Sequence, residues 1–198
     1  MLKIKIAAAL LSATIASGFI ASRAASRMHT EANDSAVTKK PIVVEESRTK
    51  CSVEAYRAGF AGDEPKTSIV RAKPSKNSAI LKTVTTKDEI VFYITGSDGS
   101  GWFEISKIET TGGETDEAVF EGRGWIHSSL TALSIAASDP KLYAAPRKKS
   151  RVLKKLVADE SEARPVACQG DWMKIRSGKS IGWLSPGGQC PNPLTTCS

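Results

Sequence analysis

Hydrophobic positions along this 198-residue chain fall into three regimes. Residues 6–20 form a nearly continuous apolar run, broken only by Ser12, Thr14, Ser17 and Gly18. Residues 25–48 are polar and have no apolar period, which reads as a flexible stem. Beyond Cys51 the apolar residues return in runs of strand length separated by turn chemistry. Strands are expected at 80–81, 90–94, 102–105 and 124–126, and again at 152–153, 164–168, 172–175 and 182–184. Between them lie Gly96-Ser97-Asp98-Gly99, Gln169-Gly170-Asp171 and the hairpin signal Ser177-Gly178-Lys179-Ser180. No stretch sustains a 3.6-residue apolar period, apart from a brief helical turn at 128–133. The chain is expected to be all-β.

The first regime has the layout of a secretory leader. A short basic start, Lys3 and Lys5, precedes the apolar run, and Ser22-Arg23-Ala24 places small residues at the −3 and −1 positions of a cleavage site. The apolar run is shorter than the ~20 residues that span a bilayer. Residues 1–24 are read as a signal peptide and 25–48 as the stem, with the product secreted or periplasmic. No cysteine follows the apolar run to carry a lipid, and a membrane contact would be peripheral at most.

The second half repeats the first. Residues 70–82 (VRAKPSKNSAILK) lie over 142–154 (LYAAPRKKSRVLK) in constant register, with Pro74 on Pro146, Ser78 on Ser150 and Leu81 on Leu153. Downstream, Trp102-Phe103-Glu104-Ile105 corresponds to Trp172-Met173-Lys174-Ile175, and Gly124-Trp125-Ile126 to Gly182-Trp183-Leu184. Copy one carries an acidic, glycine-bearing insertion at 107–121. The implied organisation is one module at 49–133 and a second at 138–198, joined by a short connection that keeps them close.

The order V-R-x-x-P, then G-x-W-x-x-I, then G-x-x-G-W-L resembles the bacterial SH3-like (SH3b) family. The residues that carry it are Val70 to Pro74, Gly101-Trp102 and Gly124-Trp125 in copy one, and Gly170 to Ile175 and Gly178 to Leu184 in copy two. Copy two departs by having Leu142-Tyr143 in place of Val-Arg. The resemblance spans roughly residues 51–190 and implies two small half-open β-barrels in tandem. It also implies a binding module for cell-wall peptidoglycan or an envelope protein. The rival expectation is a structural or inhibitory module that docks on another exported protein.

Alternation within the Trp strands assigns faces. Phe103 and Ile105, like Met173 and Ile175, suit the core; Trp102 with Glu104, and Trp172 with Lys174, take the opposite face. A tryptophan sharing a face with charges is expected to be partly exposed, an ingredient of a glycan or peptide groove. The alternative is that each ring seals the end of its barrel. Trp102, Trp172 and Lys174 are therefore candidate ligand residues.

Charge adds a second candidate. Removal of residues 1–24, with Lys3, Lys5 and Arg23 and no acid, takes the formal charge from +7 to +4. Residues 25–133 are then net −2 and residues 134–198 net +6. No acid occurs between 141 and 155, a stretch that holds Arg147, Lys148 and Lys149. These cations suit an anionic envelope polymer, or else protect an edge strand from pairing. An exported chain is not expected to bind nucleic acid.

Four cysteines, Cys51, Cys168, Cys190 and Cys197, read as two disulfides with three possible connectivities. The tail after Cys190 has two prolines and no core pattern, so it needs a tether; this points to Cys168–Cys190 and Cys51–Cys197. No close cysteine pair suits a metal, and no cofactor is implied. The histidines after residue 24, His29 and His127, have no thiol beside them in sequence, and two small barrels leave no room for a cleft-bearing catalytic domain. The chain is expected not to be an enzyme.

Overall fold

A computed structural model of the chain describes residues 48–59, 66–112, 116–136, 139–157, 163–192 and 194. The expected signal peptide, residues 25–47 of the stem and Cys197 lie outside these residues. The fold is all-β. In the first part β1 (Thr49–Arg57), β2 (Lys66–Arg71), β3 (Ile80–Thr86), β4 (Glu89–Ser97), β5 (Trp102–Thr111), β6 (Ala118–His127) and β7 (Thr131–Ala132) form one sheet, curled into a half-barrel, in the order β3-β2-β6-β5-β4-β1-β7. After β8 (Ser134–Ile135) come β9 (Lys141–Tyr143), β10 (Val152–Lys155), β11 (Arg164–Gln169), β12 (Trp172–Ser177) and β13 (Ser180–Leu184), ordered β10-β9-β13-β12-β11. Finally β14 (Gln189–Cys190) pairs with β8.

Strands β2 to β6 and β9 to β13 thus have the same spatial order, and the repeated residues occupy the same places. Arg71 pairs with Trp125 in the first sheet, and Tyr143 with Trp183 in the second. The proline loops superpose bond for bond. Ala72 N donates to Ala79 O and Ala144 N to Arg151 O, both at 2.9 Å, while Ser78 Oγ and Ser150 Oγ accept from Lys73 N and Ala145 N at 2.8 and 2.9 Å. The seventh residue of each loop, Ser78 or Ser150, closes it by taking a backbone N–H that the strands do not use. The expected core positions Phe103, Ile105, Met173 and Ile175 are fully buried.

Gly124 and Gly182, equivalent in the repeat, mark where the closing strand passes tightly over its neighbour. A Cβ on Gly124 would overlap Val70 and meet the Phe120 ring at 3.1 Å; one on Gly182 would lie 3.0 Å from Tyr143 O. Because Val70 is fully buried and has nowhere to move, Gly124→Ala should lower stability by about 1–3 kcal/mol, the cost of overpacking. A urea melt superposable on that of the parent chain would refute this close approach.

The acidic insertion is no separate loop: within the described residues, 107–111 and 118–121 simply lengthen β5 and β6, with Lys107 opposite Glu121 and Ile108 opposite Phe120. Strand β1 was not expected, although Cys51, Val53 and Ala55 alternate toward the interior. It pairs antiparallel with β4 over Thr49–Ser97 to Tyr56–Val91, and with β7 on its other side.

Beyond Cys51 the same strand reaches the second sheet. Ser52 N donates to Gly170 O and Gly170 N to Lys50 O, both at 3.0 Å. Cys51 is disulfide-bonded to Cys168, which corrects the expected Cys168–Cys190 and Cys51–Cys197 pairing. Cys190 is itself disulfide-bonded. The expectation placed Cys51 within copy one alone, but β1 lies at the seam, and its Cys51 meets the end of β11.

Further contacts close the seam. Cys168 N donates to Ser97 Oγ at 3.2 Å, Leu133 and Ala163 exchange backbone bonds at 3.1 and 3.0 Å, and β8 zips to β14. Apolar side chains of both sheets, from Phe92 and Ile126 to Leu142 and Leu184, form one continuous core.

Candidate functional site

The outer faces of the two equivalent sheets differ sharply. Across the first runs the row Glu104–Trp125–Arg71, each residue directly opposite the next. Across the second the same positions hold Lys174–Trp183–Tyr143. Side chains on one face of paired strands are the units that touch, so each row is a surface built by three strands.

The first row is closed. Glu104 is 2% exposed and Trp125 4%. The Glu104 carboxylate takes the Arg48 guanidinium at 2.8 Å and that of Arg123, and Thr95 Oγ1 donates to it at 3.2 Å. Arg48 reaches it because β1 is laid along β4, with Lys50 opposite Gly96 and Gly96 opposite Glu104.

Trp102, expected to be partly exposed, is buried at 8%. Its backbone N–H donates to Asp98 Oδ1 at 3.0 Å, so the Gly-Asp turn holds the start of β5, and its ring meets the His127 ring edge-on at 5.1 Å. His127 is itself occupied, its Nδ1 accepting from Ser129 N at 3.2 Å. Trp102 therefore seals the end of the first sheet, the second of the two readings of this position, because the charged neighbour on its face, Glu104, is buried with it.

The second row is open. Trp172, Lys174, Trp183 and Tyr143 are all half-buried. The Trp172 ring stands edge-on to Tyr143 at 5.4 Å, and Lys174 Nζ lies 5.8 Å from the Trp183 centroid. These are T-shaped and cation–π geometries that fix the rings on a surface that stays half-exposed. Among the described residues no strand equivalent to β1 is laid along β11 in this sheet, and no acid stands in the place of Lys174.

Directly after Tyr143 the chain enters the loop that bears Arg147, Lys148 and Lys149, all exposed and none ion-paired with a described residue. Structure thus brings Trp172 and Lys174 together and leaves Trp102 apart from them. Tyr143 and Trp183 join this face as well; the signal for it in the sequence is the replacement of Arg71 by Tyr143 in the repeat.

A second polar surface lies on the outer face of β1, β4 and β5. Tyr93 Oη donates to Glu109 at 2.5 Å, and Lys107 Nζ pairs with Glu109 at 2.5 Å while lying 5.0 Å from the Tyr93 centroid. The hydrogen bond to Glu109 pushes the Tyr93 phenol up to about 12, with burial and the acids Glu109, Glu54 and Asp116 adding to it. The same Lys107 and Tyr93 donors hold the Glu109 carboxyl below its usual range. No cluster of three or more His, Cys, Asp or Glu suited to a metal occurs among the described residues. No helix among them is long and apolar enough to cross a membrane.

No family model matches this chain, and no curated protein matches it. Among solved structures, NlpC2 from Trichomonas vaginalis overlaps 73% of this chain and 48% of its own at 14% identity and a TM-score of 0.29. The chain spans about half the length of that protein, and the overlap is too loose to define a common fold.

Proposed function

We propose that this chain is an exported, non-catalytic binding protein of the bacterial SH3-like kind, and that its second module holds the ligand. The observation that carries this reading is the contrast between two equivalent rows, Glu104–Trp125–Arg71 closed and Lys174–Trp183–Tyr143 open. Half-buried rings offer flat apolar faces to sugars or extended peptides. Lys174 and the loop cations Arg147, Lys148 and Lys149 favour an anionic polymer. Together these suit peptidoglycan or another anionic envelope component. Cys51, Cys168 and Cys190 are all disulfide-bonded, so none of them supplies a thiolate to His127, and the disulfides accord with export.

Purified sacculi, mixed with the chain lacking residues 1–24, test this. Trp172→Ala should lower the bound fraction at least roughly tenfold and leave the melt nearly unchanged, since the ring is only half covered. Trp102→Ala, by contrast, should destabilise by about 3–5 kcal/mol, as for a buried ring. Undiminished sacculus binding by Trp172→Ala would remove the second module's face from the proposal.

One observation favours a protein ligand instead. The outermost strands β3 and β10 expose equivalent apolar pairs, Ile80 and Leu81 at 54% and 49%, Val152 and Leu153 at 43% and 42%. Capture of a detergent-extracted envelope protein that Leu81→Asp with Leu153→Asp abolishes, with no binding to sacculi, would select this reading.

A further inference from the structure

An open cleft of about 350 Å³ lies at the seam of the two modules, lined by none of the residues of the aromatic row. Its floor is the outer face of β1, β4 and β5, where Glu54 stands opposite Tyr93. Its other wall comes from the second module and includes Asp171, Pro186 and Gln189. The two walls are held in place by the disulfide, by the backbone bonds joining Ser52 to Gly170, and by Gln189 Nε2, which donates to Asp171 O at 2.8 Å and Leu184 O at 3.3 Å. Such a site is preorganised and loses little entropy on binding.

The chemistry of the lining selects one kind of group. Glu54 and Asp171 are exposed carboxylates, and neither is ion-paired with a described residue. Lys107, which lies opposite Tyr93 across the sheet, is already held by Glu109, and so is the Tyr93 hydroxyl. Tyr93 therefore has no O–H to offer, and Lys107 covers one face of its ring. With both amide bonds of Gln189 donated to backbone carbonyls, its side-chain oxygen is left as an acceptor. Two carboxylates and an amide oxygen present acceptors, the Ser52, Thr95 and Ser106 hydroxyls of the lining can accept as well, and the charged groups of the lining are both acidic; an ammonium presents three donors and no acceptor.

We propose that this cleft is a second binding site, independent of the aromatic row, for a compact ligand carrying a primary ammonium group. The ammonium sits among Glu54, Asp171 and Gln189, and the ligand body lies against Pro186 and beside Tyr93. The volume, at the lower end of the ~300–1,000 Å³ typical of small-molecule sites, fits an amino sugar or a short peptide.

The test is a titration of the isotopically labelled chain, lacking residues 1–24, followed by amide NMR. The probes are the glucosamine disaccharide and a lysine-containing dipeptide, each beside its N-acetylated form. The free amine of at least one probe should shift the Gln189 side-chain amide and the Tyr93 backbone amide, with the acetylated form inert. Which probe does so identifies the source of the ammonium. Glu54→Gln with Asp171→Asn should weaken that binding roughly tenfold or more, and the remaining spectrum reports that the fold is intact. Trp172→Ala should leave it unchanged, so failure of the aromatic-row reading is seen separately. Equal shifts by acetylated and free probes, unaltered affinity in the double variant, or no shift at Gln189 and Tyr93 with either amine would overturn the proposal.

Discussion

Replacing both Cys51 and Cys168 by alanine should cost about 4–5 kcal/mol of stability. The bridge closes a loop with a sequence separation of 117, and a cross-link over that many residues removes about this much loop-closure entropy from the unfolded chain. It also joins β1 to the end of β11, so its loss falls on the seam. Denaturant melts of the oxidised parent and the double alanine variant measure the difference. Since the core is continuous across both sheets, the variant should still unfold in one transition at a lower midpoint. A loss below ~1 kcal/mol would mean that the seam is held without the bridge, by Leu133–Ala163 and by β8 with β14.

Exchanging the charges of the two rows should have a strongly unequal outcome. Glu104→Lys installs the second module's residue in the first and should destabilise by about 3–5 kcal/mol, because it leaves a buried charge without its counter-ion. The new ammonium would face Arg48 and Arg123 at a position only 2% exposed. The reciprocal Lys174→Glu sits on a half-buried surface and gives up one cation–π contact to Trp183, a change of about 1 kcal/mol or less. Paired urea melts make the comparison. Equal losses would refute the division into a closed and an open row, and with it the assignment of the ligand face to the second module.

That division also marks how far the residues could be read without coordinates. Glu104 and Lys174 occupy equivalent strand positions, and alternation assigns both to the outer face. Alternation says only which side of its own sheet a residue takes. Whether that side meets water depends on what else the chain lays across it, here Arg48 at the start of β1. The same gap explains the disulfide: Cys51 was assigned to the first module by its place in the chain, while β1 runs along the seam and delivers it to Cys168. The cleft lined by Glu54 and Asp171 escaped notice for the same reason, since 117 residues separate its two carboxylates in the chain.

The sequence by itself determined the all-β class, the repeat with its Pro74/Pro146 and Trp102/Trp172 equivalences, and the core positions Phe103, Ile105, Met173 and Ile175. These follow from local chemistry: a period of two, glycine and aspartate at turns, serines that close a loop on its own backbone. Only the tertiary structure decided that Cys51 pairs with Cys168, that Trp102 is sealed while Trp172 is open, and that two modules share one core. The disulfide rests on strand β1, whose partners β4, β7 and Gly170 come from distant parts of the chain, and the shared core on β1 together with the β8–β14 pair. Pairing between such segments is set by the fit of whole sheets and leaves little mark on any short run of residues.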